Sequence, residues 1–578
     1  MASEPSRIDP VRLELVRNAM GSVVDEMLVT VVRIAYASIM KDSMDLSSAF
    51  CDRRGRMIAQ GLAVPLHLGS FPEAMDAMLG RFEGKLAPGD IVILNDPYHG
   101  GMHLPDIFMF QPVFVAERLL GYAVLVAHHG DVGGRVAGSS AADSTEIFQE
   151  GLRIPPVKLY ARGVPDETLR SIISLNVRSP EHLLGDLDAQ VAACRICERG
   201  MRALAQRYGF DELERCFEAL LDYSERAARH TIAALPDGVY RFTDHLDDDG
   251  IEMERPIPIA VAVTVRGDEL TVDLTGTAAQ VRGAINATAS FAKSAVYFSV
   301  RSIMEADVPN NAGFFRPIHV VVPEGSLVNP RPPAAVAARG VTGFRLIDAV
   351  YGALAQACPG RVRAAGEGGT SSYSIGGYDG SGRYFAFREA LMGAWGGGAG
   401  RDGIEGVANP AANIGNAPIE TIETQYPLHV ERYELVPDSG GPGQWRGGLA
   451  LERELRFDGA SATLQLRTDR RHHRPYGLAG GHEGAGSDVA LDAGGTWTQL
   501  PTKFVRRIEP GEAVRVTIPG AGGYGDPRSR DPLAVLEDVR DGKVTIEGAL
   551  RDYAVRVLMH PLRVDAAETA ALRARPRA

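Results

Sequence analysis

The chain has 578 residues, 45% hydrophobic and 23% charged, so it reads as a globular protein of several domain-sized units and not as a disordered, collagenous or disulfide-stapled chain. Its formal charge of −12, from 73 acidic and 61 basic residues, offers no basic field for a phosphate backbone and argues against nucleic-acid binding. Five cysteines are too few and too odd in number for a disulfide framework, which fits a reducing cytosol.

Met1 to Asp9 has no apolar core, and no apolar run approaches the roughly 20 residues that span a bilayer, so a cytoplasmic protein without membrane contact is expected. From Pro10, apolar residues at Leu13, Val16, Met20, Val24 and Met27 recur at helical spacing, with Asp9 as N-cap and Pro10 at the first helical position. Strands are expected at Ile91 to Leu94, Ile107 to Val115 and Leu119 to Ala127, separated by Pro/Gly/Asp-rich loops. Residues 180–235 return to helical spacing with a break near Gly209, and Leu235-Pro236-Asp237-Gly238 signals a turn. Short β-branched runs follow at Ile257 to Val265, Leu270 to Leu274 and His319 to Val322, then a helix near Thr342 to Ala357. Strand-length runs fill the stretch from Tyr426-Pro427 to about residue 520. The expected class is α+β: an N-terminal helix and a sheet with loaded loops, a helical pair, then a mixed part and a β-rich C-terminal part. The expected boundaries give an N-terminal domain 1–235, a central mixed domain 236–425 and a β-rich domain 426–578.

Four of the 14 histidines, His99, His103, His128 and His129, fall within one stretch of 31 residues, with Asp106 inside it and Asp96 and Asp131 at its borders. If the strands 107–115 and 119–127 form an antiparallel hairpin turning near Glu117, residues whose numbers sum to 234 face one another, which sets Asp106 opposite His128. A turn shifted by a residue or two moves the partner to His129, so the spacing gives the neighbourhood and leaves the histidine open. Two imidazoles with one or two carboxylates suit zinc, manganese or iron(II). The competing reading has His128 and His129 ending a strand while His99 and His103 decorate a surface loop.

Three phrases stand out: Asn95-Asp96-Pro97-Tyr98 with Gly100-Gly101-Met102-His103-Leu104-Pro105-Asp106; Ala127-His128-His129-Gly130-Asp131; and Thr145 through Gly151-Leu152-Arg153-Ile154-Pro155-Pro156. Pro437-Asp438-Ser439-Gly440-Gly441 and Gly522-Gly523-Tyr524-Gly525-Asp526-Pro527 follow in order. Together these closely resemble the hydantoinase B/oxoprolinase family over nearly the whole chain. The resemblance implies a B-type subunit of an ATP-dependent enzyme that hydrolyses cyclic amides such as hydantoins, 5-oxoproline and lactams. Relatives serve in acetone and acetophenone carboxylases, so a subunit of an ATP-dependent ketone carboxylase is the alternative. It also implies one divalent transition metal, zinc first with manganese or iron behind it, at positions matching Asp45, His103, Asp106 and His128, with Asp42 as the alternative to Asp45. The nucleotide is placed on a separate A-type partner in a hetero-oligomer, and no G-x-x-x-x-G-K-[ST] occurs in this chain. His129, Asp131 and His99 are then candidates for proton transfer or for orienting the ligands.

Other signals are weaker. Gly520-Ala521-Gly522-Gly523-Tyr524-Gly525 fits a dinucleotide pattern, but Asp526-Pro527 stands where its helix should begin, so a turn is expected. Cys194 and Cys197 lie mid-helix without a second pair, and Arg470-Arg471-His472-His473-Arg474 reads as a solvated basic loop.

Overall fold

The structure, a computed structural model, describes residues 8–61, 64–67, 69–304, 308–367 and 371–576. Helix α1 (Pro10–Ile34) starts where expected, with the Asp9 carboxylate accepting from the Val11 N–H at 3.1 Å. Seven strands follow in one sheet: β1 (Leu46–Asp52), β2 (Met57–Gln60), β3 (Ile91–Leu94), β4 (Asp106–Val115), β5 (Arg118–His128), β6 (Val157–Ala161) and β7 (Val164–Pro165). Their spatial order is β2-β1-β5-β4-β3-β6-β7. β4 and β5 pair antiparallel, with Asp106 opposite His128 and Val113 opposite Gly121, until a bulge between Val113 and Phe114. The expected register therefore holds along the end that carries Asp106 and His128.

Both faces of this sheet are buried, which is why β4 and β5 read as continuous apolar runs and not as an alternation. Ile93, Ile107, Met109 and Leu125 face a core shared with α1 and the helical pair. Leu94, Phe108, Phe110 and Val124 face a second core, to which α2 (Ser70–Phe82) adds Phe71, Met75 and Met78. The helical pair is α3 (Pro180–Tyr208) and α4 (Phe210–Ala233), broken at Gly209 with φ +89°.

A four-stranded sheet comes next, in the order β11 (Ile318–Val321), β10 (Glu269–Asp273), β9 (Ile257–Arg266), β8 (Gly238–Leu246), with helices α5 (Ala289–Arg301) and α6 (Gly340–Ala357) against it. The second core draws on residues from Ala49 to Ala412, so side chains from both sides of the 235–238 turn pack together.

The last layers are two sheets. One has the order β13 (Tyr384–Ala390), β12 (Ser372–Tyr378), β14 (Ser461–Arg467), β15 (Lys503–Ile508). Its apolar face, with Tyr373, Ile375, Phe385, Phe387, Leu464 and Leu466, packs on a five-stranded sheet that includes Leu451–Phe457 and Ala513–Thr517. Its opposite face is polar and lies on the N-terminal part, where the Ser374 hydroxyl donates to the Ala137 carbonyl at 3.1 Å. Helices Pro532–Arg540, Ile546–Tyr553 and Ala566–Ala574 end the chain, an addition to the β-rich expectation. The architecture is α+β.

Three set-aside signals have structural explanations. Gly522 and Gly523 donate backbone hydrogen bonds to Ala365 and His482, and Asp526 caps a short turn. Cys194 and Cys197 are buried in α3, where burial raises both thiols. Arg470 departs from the solvated-loop reading: it is buried, with Nη2 2.5 Å from Asp348. No helix among the described residues is long and apolar enough to cross a membrane.

Candidate metal centre

Three strand ends meet at one edge of the seven-stranded sheet. Leu46 pairs with Ala127 and Asp106 with His128, so the start of β1, the start of β4 and the end of β5 lie side by side. Asp45 precedes β1 directly; Met44, at φ +57°, turns the chain to deliver it, and the Asp45 carbonyl accepts from the His128 N–H at 3.0 Å. His103 comes from the loop before β4. Asn95 holds that loop by donating to the Leu104 and Leu152 carbonyls at 2.7 and 2.9 Å and accepting from the Ile154 N–H at 2.6 Å. A Cβ on Gly101 would lie 2.4 Å from the Asn95 carbonyl oxygen, so the loop closes only with glycine there.

Candidate ligand atoms of His103, Asp106 and His128 lie within 4.8 Å of one another, and all three residues are buried. His128 Nδ1 is 2.9 Å from Asp106 Oδ1, and His103 Nδ1 is 2.8 Å from Asp106 Oδ2. The second contact is not aligned as a hydrogen bond, and His103 Nδ1 has no other partner. A buried imidazole nitrogen left facing a carboxylate oxygen fits a cation between them, and an N,N,O donor set suits a divalent transition metal. The carboxylate of Asp45 stands 3.9 Å from both His128 Nδ1 and His67 Nε2, with 20% of its side chain exposed. Asp42 does not line this pocket; its carboxylate accepts from the Ser38 hydroxyl at 2.8 Å.

The electrostatics favour ligation. Burial pushes the imidazoles of His103 and His128 down, with Arg339 and Arg388 adding to the effect, and His67 falls to about 4. The rings are therefore neutral at pH 7, each with one nitrogen lone pair; in His128 the Nε2 atom faces Arg388 and Nδ1 faces Asp106. Burial alone would raise Asp106, but His103 and Arg339, whose Nη2 is 2.6 Å away, outweigh it and hold the carboxyl well below the usual range. Asp45 is raised by burial, with His128 opposing.

The structure does not bring His129, Asp131 and His99 to this centre. Successive side chains on a strand point to opposite faces, so His129 turns away from His128 and packs against α3, its Nε2 3.1 Å from Gln190 Oε1. Asp131 ties its own loop together, accepting from the N–H groups of Gly133 and Gly138 and from Arg178. His99 is 60% exposed and paired with Asp96. In their place the pocket wall carries His67, Arg339, Arg388 and Arg467, none of which the sequence reading singled out. A larger cleft of about 510 Å³ lies elsewhere, where Arg53 and Arg56 pair with Glu214 and Glu218.

Fold and site together define a member of the hydantoinase B/oxoprolinase family, and the chain belongs to it: the family model matches residues 9–527. The caprolactamase subunit beta of Pseudomonas jessenii is 34% identical over 561 residues, covering 95% of this chain and 96% of the relative. The crystal structure of the ATP-dependent caprolactamase from Pseudomonas jessenii superposes with a TM-score of 0.92 at 32% identity, over 98% of this chain and 100% of that one. A nucleotide-free acetone carboxylase structure also gives a TM-score of 0.92, at 19% identity over 98% of this chain and 83% of that one, which shows a shared fold.

Proposed function

We propose that this chain is the metal-binding B-type subunit of an ATP-dependent cyclic-amide hydrolase that works with a separate ATP-binding A-type subunit. The observation that carries the reading is the buried convergence of His103, Asp106 and His128. It is supported by the likeness to a protein named as the beta subunit of a caprolactamase and to a structure described as ATP-dependent. These three residues and Asp45 would hold a divalent ion, which would supply Lewis acidity toward a ring carbonyl.

The chain's own residues prepare the pocket. Asp106 sits between both imidazoles and Arg339, which fixes the two rings relative to each other and keeps the carboxylate ionised. Asp45 retains solvent contact, so its carboxylate can complete the ligand set from the open side of the pocket. Ile39, Leu66, Phe291 and Phe344 form an apolar wall suited to a small ring. The sequence has no phosphate loop of its own, so activation by ATP is assigned to the partner.

The test is to combine the purified chain with an A-type partner. ATP-dependent opening of hydantoin, 5-oxoproline or caprolactam is then measured beside bicarbonate-dependent carboxylation of acetone. Ring opening that needs both subunits is expected. Carboxylation without ring opening would move the chain to the carboxylase alternative, and substrate-dependent ATP hydrolysis by this chain alone would end the division of labour.

A further inference from the structure

The pocket beside the candidate metal ligands carries more positive than negative side chains. Asp45 and Asp106 stand against Arg339, Arg388 and Arg467. Arg339 is accounted for: it donates to Asp106 at 2.6 Å and its guanidinium lies 4.3 Å from the Phe291 ring centre. Neither Arg388 nor Arg467 forms an ion pair among the described residues; Asp45 and Asp106 act on Arg388 only at longer range, and the charged groups acting on Arg467 are Arg388 and Arg339. Arg467 is 4% exposed; its Nη1 reaches only the carbonyls of Ser140 at 3.2 Å and Ala337 at 3.4 Å, and its Nε has no partner. Arg388 leans on His128 Nε2 and on the Gly138 carbonyl at 3.3 Å.

The fold puts these two side chains there deliberately close. On the polar face of the C-terminal sheet, Arg388 of β13 is opposite Ser374 of β12, and Arg467 of β14 is opposite Ser372, two residues along the same strand. Strand alternation sends the residues between them into the apolar core on the other side. The 18-residue helix α6 also opens on the pocket through Arg339, Gly340 and Phe344, with no side chain capping its first turn, so its N-terminal partial charge adds to the positive field. Arg388 borders a second cleft as well, lined by Tyr36, His182 and Tyr426. The pocket itself encloses about 70 Å³, several times the roughly 10–15 Å³ that holds one water.

A buried guanidinium cannot shed its proton as a lysine can, so its desolvation has to be offset by an anion. We propose that Arg388 and Arg467, with the first turn of α6, form an oxyanion-binding subsite beside the metal ligands, which takes a phosphoryl or carboxylate group of the reacting molecule. The role in the reaction rests on the hydrolase reading above; the binding itself does not. Arginine's planar fork suits bidentate contact with either group.

The experiment titrates inorganic phosphate, and in a second arm acetate, into the full chain by calorimetry, with metal content measured on every sample. Wild-type protein should bind at least one of the two, phosphate alone identifying a tetrahedral group and acetate a planar one. Arg467→Gln should weaken that binding at least tenfold while keeping its metal, because Arg467 touches none of the metal ligands. Arg388→Gln serves as the second variant if Arg467→Gln does not fold, compared with wild type at equal metal content because Arg388 touches His128, and Arg54→Gln in the remote cleft should bind as wild type. Unchanged affinity in Arg467→Gln, or no binding of either anion to the wild type, overturns the subsite. Metal lost together with anion binding in Arg467→Gln also overturns it, since the two sites would then be one. Retained metal in His103→Ala would overturn the metal assignment and leave the anion result standing.

Discussion

His129 gives a direct test of which side of the sheet its ring occupies. The ring is fully buried, its Nε2 meets Gln190, and its Nδ1 has no partner. Protonation would therefore place a charge and an unmatched N–H in an apolar core, and burial holds the group at about 4. An unfolded histidine near 6.5 binds its proton first, so the folded state loses stability as pH falls from about 6.5 to about 4 and regains it above that window. The span from about 6.5 to about 4 corresponds to roughly 3 kcal/mol. His67, also near 4, adds a loss of similar size in the same window. The perturbation is His129→Gln, which can still donate to Gln190 but does not titrate. Urea midpoints measured between pH 7 and pH 4 should fall less steeply in the variant, by that roughly 3 kcal/mol, with metal content unchanged. An unaltered pH dependence combined with loss of metal would put the His129 ring in the pocket and refute the placement.

Two further outcomes follow from other buried groups. Burial pushes Glu150 up to about 8, although it accepts from the N–H groups of Val336 and Ala337 at 2.7 and 2.9 Å. Its folded-state proton affinity exceeds the unfolded one, so it costs stability as pH rises from about 4.5 through 8; Glu150→Gln should match wild type at pH 4 and melt higher at pH 8, by up to about 4 kcal/mol. Asp469 joins Arg345 at 2.5 Å and Lys503 at 2.9 Å, all three buried, and Asp469→Ala should cost about 3 kcal/mol in chemical denaturation because it removes the nearest anion of two buried cations and leaves them Asp244 and Asp248 at 3.6 and 3.4 Å.

The hairpin that builds the centre was legible because its two strands and the Glu117 turn are contiguous, and their lengths bring Asp106 to the neighbourhood of His128 and His129. Choosing His128 over His129 needs one more fact, the direction in which the strand end points, and a strand buried on both faces hides that direction by lacking an apolar alternation. His67, Arg339, Arg388 and Arg467 were not legible at all. They span 400 residues and come from a one-turn helix, a helix start and two strands of a different sheet, so only tertiary packing unites them. The C-terminal helices escaped for a local reason: 9, 8 and 9 residues give too few turns for a periodic signal, although Asp531, Thr545 and Asp565 cap them.

The metal proposed for the end of the seven-stranded sheet is tested most directly by elemental analysis of the purified chain and three variants. Wild-type protein should carry about one divalent transition metal per chain, since ligands assembled only by folding bind as a unit. His103→Ala should lose that metal, Asp45→Asn should hold it more weakly, and Asp42→Asn should keep it. Full occupancy in His103→Ala, or loss in Asp42→Asn with retention in Asp45→Asn, would contradict the assignment.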